Sequence, residues 1–462
     1  MCTCLIAGRN TTKSGRVLLA ANDDWDKVTG LLGHVPRRSH GTDETHLLTG
    51  GGRIPQVPET CGYAYTACAY SIGTLDRGWS CGVNDRGVAI AGTGASAFKA
   101  IPCEDALMES DDILLLILSR AKSAREGIRM MGDLIAQYGL RPSGMEGCES
   151  MSTFAVADSR EGWWFEVAPG NHWLAVRVPD DEVAVRENAF AIHDADLMDE
   201  ENVMASAGLA EYAREQGWWD GDVRHFDFAE AYGSPVSCNE WGPELAEMNM
   251  RRRWRAMNLL SGRETAEDAL LYSVVPDRLL TEEDLKAVLR DVYEGTPYDL
   301  RKAPAAGRYG NPFHDDPADY SLCRSWTVAS FVADLRDDAA VMWACLGCPK
   351  TGAYVPIYTD ISTLPACCDT AEADGETPSL FWAFQELHYL TCRRYELNLP
   401  PVETACGKFE KQAAAELAEM DRRLADLAPE NRREVQSAFS DRKIRDALKL
   451  AEKLRAELLY RY

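Results

Sequence analysis

Apolar and polar positions alternate in short runs at the start of the chain. Residues 3–7 form an apolar run, residues 9–15 a polar stretch rich in Asn, Thr, Ser and Gly, and residues 16–21 a second apolar run. Two such runs joined by turn-forming residues predict a β-hairpin. More strand-like runs lie at 88–91, 154–157, 163–168 and 173–178. Residues 158–162 and Pro169-Gly170-Asn171 separate the last three, which predicts an antiparallel meander.

Helical spacing takes over between the strands. A helix is expected over residues 113–138, after Asp111 and Asp112 and before Gly139. Acids at a helix start suit its dipole, and a glycine accepts the left-handed conformation that stops it. Further helices are expected over 202–217 and 281–293. Antiparallel sheets covered by helices follow from this pattern. From residue 408 Gly and Pro become scarce, and Leu417, Met420, Leu424 and Leu427 recur at helical spacing. Pro429 breaks that run, and Ile444, Leu448 and Leu454 continue a second helix. The tail helices are expected to pack on the main body or on another subunit. The acidic stretch 369–378 reads as a surface excursion.

Composition narrows the function classes. The chain has 462 residues, enough for one large domain or two to three ordinary ones. Its formal net charge of −24 repels phosphate backbones and argues against a nucleic-acid partner. The first residues lack the basic start and long apolar run of a signal peptide, and no apolar stretch reaches membrane-spanning length. The default expectation is cytoplasmic, with no membrane partner. The 15 cysteines then read mostly as small, reduced, buried residues. Cys345 and Cys348 form a CxxC, and Cys367-Cys368 follow, but no properly spaced second pair completes a zinc site. No metal and no cofactor are expected.

The second residue carries the most distinctive chemistry. Initiator Met is removed before a small residue, and Cys2 then carries a thiol and a free α-amine together. An α-amine has a pKa of about 8, low enough to act as a base near neutrality. It can take the thiol proton without help from a histidine. A second-position Cys is incidental in most chains, so the context matters. Here Cys2 opens the first strand, and the second strand of the hairpin ends in Ala21-Asn22-Asp23-Asp24. Asp24 is the acid singled out to lie beside the chain terminus, where it would hold or orient the amine.

Cys2-Thr3, the hairpin and its Ala-x-Asn-x-Asp ending resemble the cysteine-type dipeptidase A family. These are N-terminal nucleophile hydrolases related to penicillin V acylase and bile salt hydrolase. The likeness continues in order through Asn84-Asp85-Arg86-Gly87-Val88, residues 119–125, 154–158, Trp164-Phe165-Glu166, 188–197 and 226–233. It ends with residues 293–299, Gly310-Asn311-Pro312, Met342-Trp343 and residues 354–358. It is clear to about residue 400 and weaker in the tail.

The resemblance implies an α+β, four-layer αββα fold over residues 1–405, followed by a helical extension over 406–462. It implies dipeptide hydrolysis through a Cys2 thioester, with Asn188 donating to the oxyanion. Asn84 and Glu166 are candidates for substrate binding. Family members often carry a basic residue where this chain has Ala21; Arg324 is the candidate substitute and a third substrate-binding candidate. A small peptide substrate is the expected partner, with a homo-oligomer left open. Two alternatives share the chemistry or the fold: a non-peptide amidase acting on N-acyl amino acids or penicillin V, and a non-catalytic, secernin-like protein.

Overall fold

Period-two alternation in the strands divides their side chains between two hydrophobic layers. In a computed structural model, which describes residues 2–25, 28–70, 77–95, 97–143, 150–234, 244–269, 271–314, 320–337, 340–370 and 378–461, two antiparallel sheets form the centre. One has seven strands, in the order Ser273–Val274, Val183–Arg186, Thr3–Ala7, Leu18–Asp24, Thr327–Asp334, Val341–Leu346 and Val355–Tyr358. The other has eight: Val203–Ala205, His172–Arg177, Gly162–Ala168, Met151–Ala157, Ala89–Ala95, Arg77–Asn84, Tyr63–Tyr70 and Val28–Val35.

Ala89, Ala91, Ala155 and Ala157 join the core shared with the first sheet. Their neighbours Ile90, Phe154 and Val156 point the other way, into a second core with the helices Ser110–Arg120 and Ala124–Tyr138. Small residues on the inner face let the sheets approach closely. At Gly162 an added Cβ would stand 2.4 Å from Ile6 Cγ2. Fully buried Phe154 and Phe165 lie on the outer side; burial of this kind contributes roughly 1.5–3 kcal/mol per side chain. The helices Glu244–Ser261 and Glu282–Leu289 cover the outer face of the first sheet through Ala256, Met257, Leu260, Leu285 and Leu289. The layers are therefore αββα, as expected.

Local signals moved several boundaries. The helix expected over 113–138 is two helices, because Ser123 caps a new start: its side chain accepts from Glu126 N, and Asp158 accepts from Ala124 N at 2.8 Å. The span 202–217 divides into a strand, Val203–Ala205, and a helix, Leu209–Glu215, with Gly208 at φ 71° between them. The helix expected over 281–293 is shorter, Glu282–Leu289, and opens with a capping box between Thr281 and Asp284. The second hairpin strand runs on to Asp24, since it is paired on both sides.

The tail packs on the body. Leu417, Leu424, Phe439, Ile444 and Leu454 belong to the core of the first sheet. Tyr358, on that sheet's edge strand, donates its backbone N–H to Ser440 Oγ and its hydroxyl to Asp421. The first tail helix, Tyr395–Ala425, starts earlier than the spacing suggested and runs unbroken through position 405. Pro429 stands at the start of the second, Pro429–Leu459, where its missing N–H costs nothing. Most of the acidic stretch 369–378 lies outside the described residues. Among the described residues no helix is long and apolar enough to cross a membrane.

Candidate active site

Strand register sets the neighbours of Cys2. Thr3 pairs with Asn22 on one side, and Cys4 pairs with Arg186 on the other. Continuing one step from Thr3 places Cys2 opposite Asp23, and Asn188 follows two residues after the Val183–Arg186 strand ends. The Cys2 thiol donates to Asp23 Oδ1 at 3.4 Å. Cys4 and Ile6 share its face, toward the second sheet, so the thiol lies between the sheets at their strand ends. Cys2 is 6% exposed. Burial pushes its thiol up to about 12, the carboxylates of Asp23 and Asp24 push the same way, and the chain's terminal ammonium and the Asp24 N–H oppose them.

The acid that meets the thiol is thus Asp23, one residue before the one singled out from the sequence. Asp24 lies on the opposite face of the strand. Thr327 donates to its Oδ1 at 2.6 Å, and Arg324 Nε stands 3.6 Å from its Oδ2. Asn22 supports this strand end from below: its Nδ2 donates to Leu289 O and Leu322 O.

Arg252, on the Glu244–Ser261 helix, went unnoticed in the sequence. Its side chain is fully buried. One Nη donates to Cys2 O at 2.7 Å and Thr3 Oγ1 at 2.9 Å; the other donates to Asn188 Oδ1 at 2.9 Å and Asn249 Oδ1 at 2.5 Å. A single planar guanidinium therefore ties the Cys2 backbone to Asn188. Asn188 donates in turn to Gly94 O at 2.8 Å, which leaves its second amide N–H unassigned among these bonds. The available signal was the dense arginine run at 251–255 in an otherwise acidic chain.

Arg324 sits near Arg252 and Asp24. Its guanidinium lies over Tyr320, 4.2 Å from the ring centre, and 5.3 Å from that of Trp326. Burial, then repulsion from Arg252, lowers it to about 10, so it stays protonated at neutral pH. Ala21, where a basic residue was expected, is small and buried opposite Cys4 and Phe331. Arg252 and Arg324 supply the cationic groups of this neighbourhood instead.

Two candidates have their hydrogen bonds elsewhere. Asn84 donates to Leu118 O and Ala121 O and accepts from Arg86 N and Val88 N. All four bonding positions of its amide are used in shaping the turn and holding the end of the Ser110–Arg120 helix. The amide is thus fully engaged within the protein. Glu166 is fully buried, and its carboxylate accepts from Ala191 N at 2.8 Å and Ile192 N at 3.3 Å. Buried Arg186 stands 3.7 Å away. Desolvation raises the Glu166 carboxyl to about 7. These bonds brace the segment after Asn188.

Among the described residues no group of three or more His, Cys, Asp or Glu gathers as a metal-ligand set. Cys348 faces Cys323, with 3.6 Å between sulfurs, rather than joining Cys345.

A model of peptidase family C69 matches residues 1–407. Relatives include a probable dipeptidase of Latilactobacillus sakei, 26% identical over 417 residues that cover 85% of this chain and 81% of that protein. A dipeptidase of Bifidobacterium longum is 24% identical over 430 residues, covering 83% of this chain and 75% of that protein. Among solved structures, penicillin V acylase from Agrobacterium tumefaciens superposes with a TM-score of 0.33 at 13% identity, over 78% of this chain and 86% of that one.

Proposed function

The chain belongs to peptidase family C69, and from that premise we propose that it is a dipeptidase whose nucleophile is Cys2, released by removal of Met1. The observation that carries this reading is the Cys2 thiol set against Asp23, with Arg252 bound to both the Cys2 carbonyl and Asn188. The relatives named dipeptidases support the substrate class.

The steps balance without a cofactor. The Cys2 thiol proton passes to its own α-amine, and the thiolate attacks the scissile carbonyl. The second amide N–H of Asn188 donates to the oxyanion that forms. The Cys2 ammonium returns the proton to the leaving amine, and the C–N bond breaks to give a thioester. Water, deprotonated by the same amine, then attacks the thioester and frees the acid and the thiol. Asp23 faces the thiol and holds the ammonium form, and Arg252 keeps the Cys2 carbonyl from turning.

Charged groups around Cys2 favour a zwitterionic dipeptide over the apolar acyl chain of an amidase substrate. A reducing, cytoplasmic setting suits the thirteen free cysteines among the described residues. The test is hydrolysis by untagged protein beginning at Cys2. Turnover of dipeptides, with little for penicillin V or N-acyl amino acids, supports the reading. The reverse preference installs the amidase, and no turnover of any of them installs the non-catalytic alternative.

A further inference from the structure

Buried guanidinium N–H groups that make no hydrogen bond are donors held ready for a ligand. Arg324 is 3% exposed, and its Nη1 and Nη2 are buried and make no hydrogen bond. Its Nε is occupied, donating to Ser321 O at 3.2 Å with Asp24 Oδ2 at 3.6 Å. The Tyr320 and Trp326 rings lie against the guanidinium. The backbone is held too: Arg324 N donates to Thr327 Oγ1, and Thr327 N donates to Arg324 O. The guanidinium is thus fixed on its Nε side, and the fork made by its two Nη groups is left open.

We propose that this fork receives the C-terminal carboxylate of the substrate and so restricts the enzyme to peptides that end one residue beyond the scissile bond. The inference rests on the dipeptidase reading above and names how that site measures its substrate. Two parallel N–H donors match the two oxygens of a carboxylate. Asp24 links the thiol to Arg324, and it does so through Nε, on the side away from the fork. Asp24 offers its backbone N–H to the Cys2 sulfur and its carboxylate to Arg324. In a dipeptide only the amide nitrogen and one Cα separate the attacked carbonyl from the carboxylate. In a tripeptide or a dipeptide amide that position holds a neutral amide, which leaves the buried cation unpaired. Arg252 stands close enough to repel Arg324, which adds to the demand for an anion between them.

The test compares alanyl-alanine, its C-terminal amide and trialanine on protein beginning at Cys2. The expected kcat/KM for the free acid exceeds that for the amide by roughly 10- to 150-fold, the worth of hydrogen bonds to a charged group. In Arg324→Ala that ratio collapses toward one, mainly through a higher KM for the acid, and added guanidinium restores part of it. Arg324→Lys keeps the charge without the fork and gives an intermediate ratio. Equal turnover of acid and amide by the unsubstituted protein overturns the proposal. So does an Arg324→Ala or Arg324→Lys enzyme that loses both activities in the same proportion, which would make Arg324 a prop for Asp24. If Arg324→Ala does not fold, the unsubstituted ratio and Arg324→Lys decide. Failure to hydrolyse any of the three strikes the dipeptidase reading itself.

Discussion

Leaving any residue in front of Cys2 should abolish turnover while the fold survives. With Met1 in place, burial and two carboxylates hold the Cys2 thiol at about 12. At pH 7 such a thiol is ionised to about one part in 10⁵, against a few per cent for an ordinary cysteine. Removing Met1 puts an amine of pKa about 8 on the same residue, and that amine also becomes the proton donor for the leaving group. Acid–base help is worth about 10²–10⁴ in rate, so a loss of at least ~10³ in kcat/KM is expected when the amine is an amide. The fold should tolerate the extra residue because the strand begins at Thr3 and Arg252 holds the chain by the Cys2 carbonyl, not by its nitrogen. The assay compares an uncut N-terminal fusion with the same protein cleaved to start at Cys2, using dipeptide hydrolysis, circular dichroism and iodoacetamide labelling against pH. In the uncut form labelling should still be rising steeply at pH 10; in the cut form it should level off near the amine pKa. Equal kcat/KM for the two forms, with matching spectra, would refute the amine as base and send the search to the histidines.

Cys2→Ala should remove hydrolysis and Cys4→Ala should keep it, since Cys4 shares the face but never gains an amine; normal turnover by Cys2→Ala in a steady-state assay excludes the mechanism. Asn84→Ala should cost about 1–3 kcal/mol in urea unfolding, because Leu118 O and Ala121 O lose their donor, while the folded protein keeps its KM; a KM raised tenfold would return Asn84 to the substrate site. Glu166 gives a pH signature. Its carboxyl rises from 4.5 to about 7 on folding, so the folded state holds a proton that the unfolded state releases. Stability from this group is full below about pH 4.5 and is lost as pH climbs through 7, by up to roughly 3 kcal/mol. Calorimetry from pH 5 to 8 should show a shallower fall for Glu166→Gln, and an unchanged slope excludes the assignment.

The primary sequence by itself determined whatever depends on neighbours in the chain. Alternating runs and turn residues specify the hairpin and the meander, because side-chain period and turn chemistry are local. Covalent order puts Cys2 directly after Met1, which is what drew attention to it, and motifs in sequence order carried the family likeness. The caps at Ser123 and Thr281 went unread, and the structure showed that Ser123 starts a second helix. Tertiary structure decided the rest of the site. Whether Asp23 or Asp24 meets the thiol turns on pairing register, where a slip of one residue exchanges the faces of the strand. Arg252 lies 250 residues from the carbonyl it binds, a contact that no local pattern encodes. The hydrogen bonds of Asn84 and Glu166 go to backbone groups that folding brings near them, Leu118 and Ala121 for one, Ala191 and Ile192 for the other. An amide or a carboxylate has few bonding positions, and packing alone determines whether the protein uses them or leaves them for a ligand.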